Sequence, residues 1–213
     1  MFRRPNPMYA HWLPMAALLV AAFTSLLAAQ EKRSMPASQT EASVPAALKA
    51  PVRLTALAVR TVDASIAQPV TITLQRWSTD EEAERWQNSV REATQKKMID
   101  TLRSYPSIGR LGSTGTVGVD LRFARATGEA NSGKMHITLA ADRVMGFWEQ
   151  STAPRSTEYP FMLIDIQLDA NGTGSGKIVS AAKMMVDEVS KTLIIENFED
   201  QPVLLQTVKL QKR

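Results

Sequence analysis

Lys134-Met135-His136-Ile137-Thr138-Leu139-Ala140-Ala141-Asp142 is the stretch that decides the fold. Met135, Ile137, Leu139 and Ala141 alternate with Lys134, His136, Thr138 and Asp142. A period of two sends one set to a core and the other to solvent, which is a half-buried β-strand. The same alternation extends in both directions. Upstream, Val117, Val119, Leu121 and Phe123 alternate with Gly118, Asp120 and Arg122, and the polar stretch Thr127 to Gly133 reads as a hairpin loop between the two runs. Downstream come Met162, Ile164, Ile166 and Leu168, a Gly-rich turn from Asn171 to Gly176, and strands at Ile178 to Val186 and Thr192 to Phe198. Pro202 precedes a last strand, Val203 to Leu210. With Val52 to Thr61 and Val70 to Leu74 at the front, about eight strands are expected, the load of a single antiparallel sandwich or barrel.

One segment departs from this period. Thr79-Asp80-Glu81-Glu82 is a capping box, with a hydroxyl to cap a helix and a carboxylate three residues on to reach back. Ala83, Trp86, Val90 and Ala93 then recur at helical spacing, and Met98, Ile99 and Leu102 follow slightly out of phase. The expectation is a helical insertion after the second strand, at about 79–104, as one bent helix or two short ones. Trp86 and Leu102 are expected to pack it on the sheet. Tyr105-Pro106 ends it.

Before the β pattern lie two segments of another kind. Arg3 and Arg4 are followed by an uncharged apolar run from Trp12 to Ala29, which closes on small residues. That order is a secretory signal peptide over 1–29 and implies a periplasmic or secreted protein. The competing reading is an uncleaved membrane anchor, at the short end of what spans a bilayer. Residues 30–51 carry Pro36, Pro45 and Pro51 and few large apolar side chains, and read as a disordered linker. The β domain is then 52–213.

Composition bounds the chemistry. The chain has 25 basic and 21 acidic residues, and residues 1–29 hold two of the former and none of the latter, leaving 23 against 21. A near-neutral domain gives no electrostatic case for nucleic acid or for an anionic membrane surface. There is no cysteine, which excludes disulfides, a thiol nucleophile and a thiolate metal site.

Candidate catalytic groups are few. His136 is the one histidine beyond the leader and is a potential general base for Ser113 or Ser156, but its place on the polar side of a strand favours a solvated residue. No Gly-x-Ser-x-Gly elbow accompanies those serines. One imidazole cannot build a histidine metal cluster. Asp169-Ala170-Asn171-Gly172-Thr173-Gly174 begins like a calcium loop, yet its twelfth position is Ser180 instead of a bidentate Glu, so a polar hairpin turn is the better reading. Gly176-Lys177 lacks the Ser or Thr of a phosphate loop. Asp120, Asp165, Asp169 and Glu196 are carboxylates whose convergence the sequence does not reveal. Neither a catalytic residue nor a cofactor or metal is implied.

Two clusters remain as candidate binding residues. Trp77, Trp148 and Tyr159 could line a concave apolar site with Asp120, Arg122 and Arg125 at its mouth. The plainer alternative is core packing with an ion pair between Asp120 and Arg122, which share a face by the period of two.

Arg76-Trp77-Ser78-Thr79-Asp80, Asp120-Leu121-Arg122-Phe123-Ala124-Arg125, Tyr159-Pro160-Phe161 and Glu196-Asn197-Phe198 with Gln201-Pro202-Val203 resemble a group of exported bacterial β-rich proteins with no established function. The likeness covers Val52 to Leu210. It implies export and a shared fold, and it carries over no catalytic residue. The expected role is a non-enzymatic module that binds a small apolar ligand or an envelope component. An extracytoplasmic hydrolase, or a structural protein anchored by its N-terminus, is the alternative.

Overall fold

The computed structural model describes residues 48–60, 67–91, 94–113, 118–128, 133–143, 158–186, 193–197 and 202–211. Residues 1–29, the linker up to position 47, Trp148 and Ser156 lie outside them. The chain runs β1 (Val52–Val59), β2 (Ala67–Leu74), α1 (Asp80–Arg91), α2 (Gln95–Ser104), β3 (Gly109–Ser113), β4 (Val119–Leu121), β5 (Phe123–Gly128), β6 (Met135–Ala141), β7 (Phe161–Leu168), β8 (Thr173–Val186), β9 (Leu193–Asn197) and β10 (Val203–Leu210).

All pairings are antiparallel, in the order β4-β3-β2-β1-β10-β8-β7-β6-β5. The two strands at opposite ends of that order, β4 and β5, are consecutive in the chain and separated only by Arg122. The sheet therefore curls round into a barrel whose closing strand is broken in two. Its first half pairs with β3 and its second half with β6. The Arg122 N–H donates to the Ala140 carbonyl at 2.9 Å, which stitches the break to β6. Neighbours in sequence are neighbours around the ring, and β10 returns to β1, the course of an up-and-down barrel. Among the described residues, only β9 stands off the ring, paired with the end of β8 from Ala182 to Val186.

The alternation read from the sequence fills the interior. Met135, Ile137, Leu139 and Ala141 of β6 and Met162, Ile164, Ile166 and Leu168 of β7 point inward, as do Leu54, Ile72, Leu74 and Leu205 from the far side. All are 5 % exposed or less, so the barrel is a packed core. The helical insertion is two helices, and they lie outside the barrel. Ala83 and Trp86 of α1 and Met98, Ile99 and Leu102 of α2 cover Phe123, Ala140, Phe161, Leu163 and Val179 on the outer face of β5 to β8. Trp86 meets Phe161 edge-on, with ring centroids 6.2 Å apart. Trp86 and Leu102 thus dock the insertion as expected.

Four details differ from the reading of the sequence. Phe123 does not share the inward face of Val119 and Leu121: the break at Arg122 shifts the phase by one residue, and Phe123 turns out to the helices. β3 was not visible, because Gly109-Arg110-Leu111-Gly112-Ser113 offers one large apolar side chain and becomes a strand through its partners β2 and β4. The Gly-rich turn ends at Gly172, and Gly174 and Gly176 already belong to β8. Leu48, placed in the linker by composition, is 0 % exposed and part of the barrel core.

Candidate functional site

The residues expected to form a binding site are held by five separate sets of partners. Trp77 follows β2 at one end of the barrel. Its indole N–H donates to the Leu48 carbonyl at 2.6 Å, so indole and leucine together close the end at which β1 starts. Next to it Ser78 pairs across that end with Ala124, N–H to carbonyl at 3.0 Å one way and N–H to hydroxyl at 3.1 Å the other. Asp120 faces Arg110, its register partner on β3, at 3.6 Å. Both side chains are about half exposed, which makes that pair worth little. It, and not Asp120 with Arg122, is the ion pair of this strand.

Arg122 and Arg125 act on the helices. Arg122 donates to the Tyr105 carbonyl at 2.8 Å and to Asp142 at 3.3 Å, while Arg103 of α2 approaches the other oxygen of Asp142 at 3.8 Å. Asp142 thus ties α2 to the break in the closing strand. Arg125, on the outer face of β5, reaches Asp80 at the start of α1 at 2.6 Å. Tyr159 lies before β7, with the Lys183 ammonium 6.0 Å from its ring centre. Trp148 lies outside the described residues.

The capping box forms as its spacing requires. The Glu82 N–H donates to Thr79 Oγ1 at 3.2 Å, and the Thr79 N–H to Glu82 Oε2 at 2.9 Å. Arg76 grips the same carboxylate with both guanidinium nitrogens, at 2.8 and 2.9 Å. These hydrogen bonds hold the Glu82 carboxyl below the usual carboxylate range against the opposing effect of burial. The buried Tyr105 hydroxyl donates to the Glu82 carbonyl at 2.7 Å, and burial pushes its phenol up. Arg76, Arg122 and Arg125 therefore form a frame that fixes two helices on a barrel wall.

His136 is not simply solvated. On the outer face of β6 its Nε2 contacts the Asp165 carboxylate of β7, and both side chains are about four-fifths buried. The Asp165 hydrogen bond holds the imidazole above the usual histidine value, with burial acting in the opposite sense. Ser113 is engaged elsewhere, its hydroxyl donating to the Pro69 carbonyl at 2.9 Å on the β2–β3 side of the broken strand. Asp169 is consumed by its own turn: it accepts from the N–H of Asn171 at 2.8 Å and from the N–H and hydroxyl of Thr173 at 3.0 and 2.8 Å. Those bonds hold its carboxyl below the usual range. With Gly172 at φ 77° and its N–H on the Asp169 carbonyl, 169–173 is a hairpin turn. Glu196 pairs across strands with Lys183 at 3.8 Å.

Among the described residues, no group of three or more His, Asp or Glu converges as metal ligands, and no helix is long and apolar enough to cross a membrane. An open depression of about 670 Å³ lies along α2, lined by Thr94, Lys96, Lys97, Asp100, Thr101 and Ser104. Apart from Thr94, which precedes the second helix as its spacing suggests, these residues carry no signal in the sequence beyond the solvent side of a helix. The fold and the side-chain frame define an antiparallel β-barrel protein with an external helix pair. Compared with protein-family models, curated proteins and solved structures, the chain finds no match.

Proposed function

We propose that the chain is an exported, envelope-associated module without catalytic activity, and that it interacts through its outer surface. The observation that carries this reading is the filled barrel. Its interior is occupied by its own Leu, Ile, Val and Met side chains, and one end is closed by Leu48 and Trp77. A cavity for a small apolar ligand would require those side chains to withdraw. The basic start and apolar run of residues 1–29 support export. The charged groups that might have done chemistry are engaged in holding helices and turns, which favours a binding or structural role over the hydrolase alternative.

The test is a native mass spectrum of the protein made with its own N-terminus and recovered from the envelope fraction of a bacterial host. A chain starting near Gln30 without a small-molecule adduct is expected. A retained apolar adduct would overturn the surface-binding reading in favour of a ligand carrier. A full-length mass in the membrane fraction would replace the cleaved signal with an anchor.

A further inference from the structure

We propose that Asn171 is the acceptor of an N-linked oligosaccharide, transferred outside the cytoplasm from a polyprenyl-diphosphate carrier; this rests on the exported reading above. Asn171-Gly172-Thr173 is the only triplet of the chain with Asn, a residue other than Pro, and Ser or Thr. The other asparagines, Asn6, Asn88, Asn131 and Asn197, are followed two positions later by Met, Val, Gly and Glu.

The fold puts this triplet at the tip of the β7–β8 hairpin. Ala170, Asn171 and Thr173 are all exposed. The bonds that hold the turn run through the Asp169 carboxylate, the Gly172 N–H, both donors of Thr173 and the backbone N–H of Asn171. The Asn171 side chain is thus the part of the turn that can change without unmaking it, and a sugar there displaces no packed group. Asp169 adds a carboxylate two residues before the acceptor, and Thr173 a hydroxyl two residues after it. At rest these two bond each other at 2.8 Å, so a transferase reads them when the turn opens or before it has formed.

In the transfer, Asn171 Nδ2 attacks the anomeric carbon of the carrier-linked sugar. A new C–N bond forms as the C–O bond to the diphosphate breaks. The polyprenyl diphosphate leaves with the electron pair, and the amide nitrogen gives up one proton to a base of the transferase. Nothing is oxidised or reduced.

The experiment expresses the full chain in a bacterial host that supplies an oligosaccharyltransferase and its polyprenyl-diphosphate oligosaccharide. One version keeps residues 1–29, and a second carries a proven export signal in their place. Each also bears an appended acceptor peptide as internal control. Intact-mass and peptide analysis should show one glycan at Asn171 in addition to the control, lost in Asn171→Gln, which leaves the turn bonds in place. A control peptide glycosylated beside a bare Asn171 would overturn the proposal. Glycan at Asn171 only with the exchanged signal would uphold the site and overturn export by the native N-terminus.

Discussion

His136 shows how little a side chain's strand position says about its state. The period of two puts it on the polar face, and only the neighbouring strand supplies Asp165. Because that carboxylate raises the folded-state pKa, the pair contributes stability that is fully present below the unfolded value of about 6.5 and is lost as pH rises through the folded value. Urea unfolding at pH 5.5 and pH 9 should therefore show a decline in stability in which His136→Gln does not share. An identical pH profile for the wild type and the variant would remove the pair from the account. Its type and position make Trp77 a candidate ligand contact, and nothing in its sequence neighbourhood marks its bond to Leu48, 29 positions away.

At the scale of elements, the helix pair depends on a few polar bonds. Thr79→Ala removes one half of the capping box and should cost about 1 kcal/mol. Glu82→Ala removes the other half and also leaves Arg76 without its bidentate partner, so it should cost more, about 1–3 kcal/mol. Equal losses in denaturant unfolding would show that Arg76 adds nothing. As the Glu82 carboxyl is held low, its contribution is present above the normal carboxylate pKa and lost as pH falls through the folded one. The β7–β8 ladder has a different constraint. A Cβ on Gly174 would lie 1.8 Å from the Gln167 carbonyl oxygen, whereas Gly112 has open space. Gly174→Ala should cost about 3 kcal/mol or more and Gly112→Ala far less, as read from their unfolding midpoints. Capping box and alternating strands were legible because each is a local pattern. β3 and the turn boundary were not, since a Gly-rich strand is defined by what lies beside it.

For the whole molecule, closure is the organising event. The ring is completed where β4 and β5 meet at Arg122, and one end is completed by Leu48 under Trp77. A chain starting at Val52 should accordingly be about 2–5 kcal/mol less stable than one starting at Ala46, the cost of removing a fully buried leucine. Equal denaturation midpoints would mean that Leu48 fills no essential space. The sequence by itself determined the β class, the number of strands to within two and the position of the helices, because periodicity and capping act over a few neighbouring residues. The tertiary structure decided barrel over sandwich, the direction of Phe123, the burial of Leu48 and the partners of Asp120, Arg122, Arg125 and Tyr159. Those depend on which strands become neighbours and in what register, and that is settled only when distant segments close the ring.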